Sequence, residues 1–150
     1  MPVASAAQKL ILIVDDTPTN IGVISGALKN SYQTKIATNG QKALALASGE
    51  DKPDLILLDV MMPKISGFEV CKRLRRDPTT RDIAVLMVTA LDQPSDIERA
   101  IDAGTTDFVS KPIEKNTLLL RVRSLLSSRQ YKRELDRLLA YIEAVEREEQ

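Results

Sequence analysis

Polar side chains that could hold a metal ion and accept a phosphoryl group follow short apolar runs in this 150-residue chain. In chain order they are Asp15 and Asp16 after run 10–14, Asp59 after run 55–58, Thr89 after run 83–88, and Lys111 shortly after run 108–109. Clustered carboxylates repel one another, so a hard cation such as Mg²⁺ is their natural partner. A carboxylate can also take up a phosphoryl group covalently, with a lysine, a hydroxyl and a metal ion stabilising its charge. Asp59 is the best candidate nucleophile because it follows the central run.

Each of these residues also has an ordinary structural explanation. Asp15 or Asp16 could cap a helix, Thr89 could be a strand residue, and Lys111 could be a surface charge. Their occurrence at successive strand ends is much harder to explain as chance, because the carboxyl ends of parallel strands meet at one edge of a sheet.

The elements that must position these side chains are visible in the hydrophobic pattern. Continuous apolar runs of four to six residues are typical of strands that are covered on both faces. A weaker strand is predicted at 33–37, and amphipathic stretches of helical length lie at 20–30, 40–48, 67–76 and 94–103. Strands that alternate with helices predict an α/β fold with a doubly wound parallel sheet.

The chain from Glu114 to Gln150 contains neither proline nor glycine, which predicts one uninterrupted helix. Its first part is broad enough to pack on a sheet, with Leu118, Leu119, Val122, Leu125 and Leu126. Its second part carries apolar residues at alternating spacings of four and three, namely Tyr131, Leu135, Leu138, Ile142 and Val145. This spacing predicts a parallel coiled-coil homodimer, and the alternative is an amphipathic helix lying on its own domain.

The composition excludes several classes of function. Equal numbers of basic and acidic residues, 21 each, argue against a surface built for nucleic acid or anionic membranes. The chain has no histidine, which excludes Ser-His-Asp and Cys-His catalysis and His-ligated zinc. No glycine-rich phosphate loop of the nucleotide-binding types is present. The start lacks a signal-peptide pattern and no apolar run is of membrane-spanning length, so we expect a cytoplasmic protein.

Together these motifs resemble the receiver domain of two-component response regulators. The resemblance covers about residues 10–126 and rests on Asp15-Asp16, on Asp59 with Pro63 and Gly67 after it, on Thr89-Ala90, and on Lys111-Pro112. It implies a flavodoxin-like sheet of strand order 2-1-3-4-5 with five helices, of which the last is extended. We accordingly expect a disordered tail at 1–9, a receiver domain at 10–127, and a helical extension or coiled-coil linker at 128–150.

The resemblance also implies a role for each acidic residue. Asp59 would be the phosphoacceptor, and Asp16, Asp59 and the backbone carbonyl of Met61 would bind Mg²⁺ directly. Asp15 would act through a metal-bound water. Gly67, in the loop that follows Asp59, is expected to adopt backbone angles forbidden to other residues.

The remaining implied roles concern the switch. Lys111 would pair with Asp59 or the phosphoryl group, and its bond to Pro112 is cis in the family. Thr89 would be the switch hydroxyl, and Phe108 stands at the switch position where the family more often has tyrosine. Met61 and Leu91 stand where polar side chains can orient the water that attacks the aspartyl phosphate. Because both are apolar, we expect slow dephosphorylation.

The function implied is a phosphorylation-controlled signalling switch rather than an enzyme for external substrates. A histidine kinase or phosphotransfer protein would donate the phosphoryl group, and the face formed by the fourth helix, fifth strand and fifth helix would transmit the signal. The main alternative is a constitutive dimerisation or interaction module whose acidic pocket is vestigial. A haloacid-dehalogenase-like phosphatase is disfavoured, since it needs a nucleophile after the first strand and a substrate cap. No output-domain motif follows the receiver, so the chain is expected to be a stand-alone regulator or the receiver part of a longer protein.

Overall fold

A parallel sheet forms the centre of the protein, whose computed structural model describes residues 8–90 and 93–148. Within these residues the strands are β1 (Leu10–Val14), β2 (Gln33–Ala37), β3 (Leu55–Asp59), β4 (Ala84–Thr89) and β5 (Asp107–Ser110). Their spatial order is β2-β1-β3-β4-β5, and every neighbouring pair is parallel. The predicted sheet is therefore confirmed. Residues 1–7 of the tail predicted at 1–9 lie outside the described residues.

Helices connect the strands and cover both faces of the sheet. In the described part of the chain they are α1 (Pro18–Leu28), α2 (Gly40–Ala47), α3 (Gly67–Arg76), α4 (Pro94–Ala103) and α5 (Lys115–Glu148). Helix α1 begins and ends two residues before the bounds of the amphipathic stretch at 20–30, with Pro18 in its first turn. Proline is favoured at the first helical position because its missing N–H would have no helical partner there and its φ suits the helix.

Two apolar layers sandwich the sheet and explain why its inner strands have continuous apolar sequences. Leu12 and Val14 of β1 pack on the side of α2, α3 and α4, whereas Ile11 and Ile13 pack on the side of α1 and α5. Because successive strand residues point to opposite faces, a strand covered on both sides needs an apolar residue at every position.

Arg75, at the end of α3, ties together the segments at the amino-terminal edge of the sheet. Its Nε donates to the carbonyl of Gly104 at 2.8 Å, and its Nη1 donates to the carbonyls of Arg81 and Ile83 at 2.8 and 2.6 Å. Its Nη2 donates to the hydroxyl of Thr106 at 3.3 Å. This one side chain therefore fixes the end of α4 and the starts of β4 and β5 relative to α3.

Helix α5 has two parts with different surroundings. Leu118 and Val122 are buried against the sheet, as the sequence predicts. Farther along, Tyr131 and Leu135 are 68% and 59% exposed, so this part does not lie on its own domain. None of the described helices, the long α5 included, is apolar enough over sufficient length to cross a membrane.

Candidate functional site

Three carboxylates meet at the carboxyl-terminal edge of the sheet. Asp15 and Asp16 follow β1, and Asp59 ends β3, which is paired with β1 through Val14 and Leu58. One oxygen from each carboxylate lies within 4.8 Å of the others. Asp15 and Asp59 are buried, whereas Asp16 is exposed. The sheet therefore brings together the three acidic residues that the sequence placed at its edge.

Lys111 faces this acidic cluster from the loop after β5. Its Nζ donates to Asp59 Oδ1 at 3.2 Å and lies 3.9 Å from Asp15 Oδ2. The Lys111 backbone N–H donates to the carbonyl of Thr89 at 2.8 Å, and the Lys111-Pro112 bond is cis, which confirms that prediction. A single ammonium group is thus shared by two buried carboxylates.

The acidic groups carry more negative charge than this lysine neutralises. The pKa of Asp59 is raised above its ordinary value, because burial and the nearby charge of Asp15 outweigh the lowering effect of Lys111. Asp15 Oδ1 accepts the N–H of Thr17 at 2.9 Å, but the buried Asp15 Oδ2 has no hydrogen-bond partner among the described residues. This oxygen, which lies 3.9 Å from Lys111 Nζ without accepting a hydrogen bond, and the two further carboxylates provide the all-oxygen donor set that Mg²⁺ prefers. The cluster therefore fits a hard divalent cation.

The loop after Asp59 approaches the candidate phosphoacceptor closely. The Met61 N–H donates to Asp59 Oδ1 at 3.4 Å, and the Met61 side chain is 67% exposed. The Gly67 N–H donates to the carbonyl of Val60 at 2.9 Å. A Cβ atom on Gly67 would lie inside the contact distance of the Asp59 carbonyl oxygen and 2.7 Å from Val60 Cα.

This contact corrects the explanation expected for Gly67. Among the described residues, the glycine with a left-handed φ is Gly104, at 96°, and Gly67 has no such φ. Position 67 needs glycine because the backbone of Asp59 and Val60 passes too close to it to leave room for a Cβ atom. Lys64, which no sequence signal singled out, has the left-handed φ in this loop, at 67°.

Thr89 and Phe108 occupy neighbouring strands on one side of the acidic cluster. Thr89 is buried at the end of β4, and Phe108 is half-buried in β5 opposite Met87. Both line a cavity of about 10 Å³ with Val60 and Phe68. Leu91, the other residue expected to obstruct water, lies outside the described residues.

Sequence reasoning missed a contact beside this cavity. The guanidinium of Arg99 in α4 lies 4.3 Å from the ring centroid of Phe68 in α3, a cation–π distance. The pairing joins two neighbouring helices whose residues are about 30 positions apart in the sequence, so no local sequence pattern reveals it.

Comparisons with known proteins identify relatives of this chain. The response regulator receiver domain model matches residues 11–123. The response regulator PleD of Caulobacter vibrioides is 47% identical over 116 residues, which cover 77% of this chain and 25% of PleD. Protein PilH of Pseudomonas aeruginosa is 37% identical over 118 residues, which cover 78% of this chain and 97% of PilH. The chain thus spans a quarter of PleD and nearly all of PilH.

Solved structures share the fold. The chemotaxis protein CheY4 of Vibrio cholerae superposes with a TM-score of 0.75 at 30% identity, covering 79% of this chain and 99% of CheY4. The receiver domain of a sensor histidine kinase from Pseudomonas aeruginosa has a TM-score of 0.75 at 26% identity, covering 81% and 99%. That structure is described with a magnesium ion coordinated in its active-site cleft.

Proposed function

Because this chain belongs to the response regulator receiver domain family, we propose that it is a phosphorylation-controlled switch of a two-component system. Receiver domains are regulatory signalling domains, and Asp59 is the proposed phosphoacceptor here. The observation that carries the proposal is the cluster of Asp15, Asp16 and Asp59 facing the single ammonium of Lys111.

The proposed transfer begins from a phosphohistidine on a histidine kinase or phosphotransfer protein. A carboxylate oxygen of Asp59 attacks the phosphorus atom, so that an O–P bond forms and the P–N bond of the donor breaks. The electron pair of the P–N bond leaves with the imidazole, which then takes up a proton from solvent. The acyl phosphate carries more negative charge than the carboxylate it replaces, so the product next to Asp15 needs Lys111 and a divalent cation to stabilise it.

The residues around Asp59 have distinct proposed tasks. Asp16, Asp59 and the Met61 carbonyl would hold Mg²⁺ directly, and Asp15 would hold it through a water. Bound there, Mg²⁺ would neutralise negative charge on the phosphoryl oxygens. Lys111, already 3.2 Å from Asp59, pairs with a phosphoryl oxygen after transfer.

The signal leaves the site through the side of β4 and β5. The Thr89 hydroxyl turns toward the phosphoryl group, and Phe108 turns inward toward the space that Thr89 leaves. This rearrangement changes the face formed by α4, β5 and α5. Phe108 lacks the hydroxyl that tyrosine has at this position in much of the family, so its two rotamers differ only in packing.

We further propose the arrangement of the whole chain in the cell. Residues 10–127 form the receiver domain, and 128–150 form a helical linker through which two copies make a homodimer. The protein acts in the cytoplasm, and the linker leads to an output domain where this chain is part of a longer protein. The chain catalyses only its own phosphorylation and slow dephosphorylation.

Incorporation of labelled phosphate tests the switch against the constitutive alternative. With acetyl phosphate and Mg²⁺, the native chain is expected to take up label, and chelation of Mg²⁺ or Asp59→Asn is expected to abolish it. Asp51→Asn, an exposed change far from the site, is the matched control and should leave uptake unchanged. A native chain that takes up no label would support a vestigial pocket and contradict the switch.

A further inference from the structure

Four basic side chains line a groove at the point where α5 leaves the domain. We call it the basic groove. Its volume is about 250 Å³, and its charged lining consists of Lys9, Arg129, Arg133 and Arg137 with Asp54 and Glu134. The three arginines follow one another at intervals of four residues, so they share a helix face and form a row about 12 Å long along the axis. Because Lys9 precedes β1 and Asp59 ends β3, the groove lies at the edge of the sheet opposite the acidic cluster.

The four cations of the basic groove have no ion-pair partner among the described residues. The two acids in the lining accept hydrogen bonds from other groups. Asp54 Oδ2 accepts the N–H of Leu10 at 2.8 Å, and Glu134 Oε1 accepts the side-chain amide of Gln130 at 3.4 Å. Like charges four residues apart on a helix repel one another. The groove therefore keeps an excess of positive charge, with four cations against two carboxylates.

Arg129 is the most enclosed of the four cations, since it is half-buried and the other three are exposed. Its Nε is buried and has no hydrogen-bond partner in the part of the chain that the structure describes. Burial and the neighbouring charge of Arg133 lower the pKa of Arg129, and Asp82 and Asp54 offset this effect only in part. A buried donor without an acceptor costs free energy, so an anion that accepts a hydrogen bond from Arg129 is stabilising here.

The residue types in the groove indicate the chemistry of such an anion. Arginine presents a planar fork of N–H donors that pairs bidentately with phosphate or carboxylate oxygens. Leu126 is the one apolar residue among the described residues of the lining, so a peptide would find little surface on which to bury an apolar anchor. A chain of phosphate groups needs no such surface, and it carries repeated negative charge to match a row of arginines.

We propose that the basic groove binds an oligophosphate, whose phosphate groups lie along the row of Arg129, Arg133 and Arg137 and beside Lys9. The bound chain links the start of β1 to α5, and so holds the outer part of α5 in a fixed direction relative to the sheet. The phosphate chain can belong to free polyphosphate or to a nucleoside triphosphate, because the groove contacts only phosphates. This site is separate from the proposed phosphoacceptor.

Calorimetric titration with inorganic tripolyphosphate tests the site. The titration is run on the full chain in metal-free buffer, so that no Mg²⁺ is available to bring phosphate to the acidic cluster. The native chain is expected to bind tripolyphosphate, with an affinity that falls as the salt concentration rises. A dissociation constant above about 1 mM would contradict the proposal.

Substitutions in the row test where tripolyphosphate binds. Arg129→Gln and Arg133→Gln are each expected to weaken binding about tenfold, because each removes a charge-assisted, bidentate contact. Arg137→Gln is expected to weaken it in the same direction, and its exposed position makes an effect on folding negligible. Arg123→Gln removes the same charge from an exposed position of α5 outside the groove, and should change the affinity by about twofold at most. Equal affinities for the three groove variants and the control would contradict the location.

Two further titrations test the chemical class. ATP and tripolyphosphate are expected to bind within about threefold of each other, since no aromatic ring among the described lining residues is available to stack on a base. Binding of ATP without tripolyphosphate would contradict the proposal, because recognition would then lie in the nucleoside. Tighter binding of a hexaglutamate peptide than of tripolyphosphate would contradict it as well. All of these titrations are independent of phosphorylation at Asp59, so failure of one proposal leaves the other standing.

Discussion

Gly67 lies so close to Asp59 that a Cβ atom at position 67 would overlap the Asp59 carbonyl oxygen. The same atom would lie 2.7 Å from the Cα of Val60. The first residue of α3 is therefore packed directly on the backbone that carries the proposed phosphoacceptor. This contact makes the side-chain size at position 67 a determinant of the geometry at position 59.

Gly67→Ala is expected to destabilise the domain by about 1 to 3 kcal/mol, because an overpacked methyl group forces the backbone apart. It should also slow phosphoryl uptake by displacing Asp59 from Lys111. Urea unfolding measures the first effect and labelling kinetics the second. Gly22→Ala in α1 is the control, since its Cβ would meet no atom within 4 Å and should stabilise the helix by about 0.5 to 1 kcal/mol.

The raised pKa of Asp59 predicts how stability depends on pH in metal-free protein. Between the ordinary carboxyl pKa near 3.8 and the raised value, the folded state binds more protons than the unfolded state. The free energy of unfolding therefore falls as the pH rises through this interval. Asp59→Asn removes the titrating group and should reduce this fall, leaving the variant more stable than the native chain at neutral pH.

Addition of Mg²⁺ is expected to reduce the difference in stability between the native chain and Asp59→Asn. A ligand that binds only the folded state stabilises it by about 2.7 kcal/mol at one hundred times its dissociation constant. The native chain should gain this stability and Asp59→Asn much less. If the stability of the native chain and of Asp59→Asn depended equally on pH in chelator, or if Mg²⁺ stabilised both proteins equally, the proposed role of the Asp59 charge would be contradicted.

The four hydrogen bonds of Arg75 predict a large effect on stability. Arg75→Ala should lower the free energy of unfolding by about 2 to 4 kcal/mol, because it leaves partly buried carbonyl oxygens without donors. Arg76→Ala, at an exposed position next to it, should change stability by less than about 0.5 kcal/mol. If urea unfolding gave similar free energies of unfolding for Arg75→Ala and Arg76→Ala, the hydrogen bonds of Arg75 would contribute little to stability.

The side chain of Met61 predicts the lifetime of the phosphoryl group. Met61→Asn introduces a group that can orient an attacking water and should speed dephosphorylation roughly tenfold, a barrier change of about 1.4 kcal/mol. The affinity for Mg²⁺ should change little, since Met61 would contribute only its backbone carbonyl. Decay of the label after removal of the donor measures the rate. An unchanged rate would mean that this side chain does not control the water.

Much of this protein could be predicted from local sequence patterns. The strands β1 and β2 begin and end where the hydrophobic pattern places them, and α3 and α4 have their predicted bounds. The convergence of Asp15, Asp59 and Lys111 follows from the topology, because strand ends in a parallel sheet share one edge.

Other features depend on contacts between segments that are far apart in the sequence, and no local sequence pattern indicates them. The reason for glycine at position 67 is the backbone of β3, which the sequence near position 67 does not reveal. The four acceptors of Arg75 likewise come from segments brought together only by folding. The left-handed Lys64 is unusual because its residue type does not favour that conformation.

The most direct measurement for the central claim is the position of the phosphoryl group. The chain is phosphorylated with acetyl phosphate and Mg²⁺, reduced with borohydride to convert the aspartyl phosphate to homoserine, and mapped by peptide mass spectrometry. Conversion is expected at Asp59 alone, and at no residue when Mg²⁺ is chelated. Conversion at Asp15, Asp16 or any other residue instead of Asp59 would contradict this expectation.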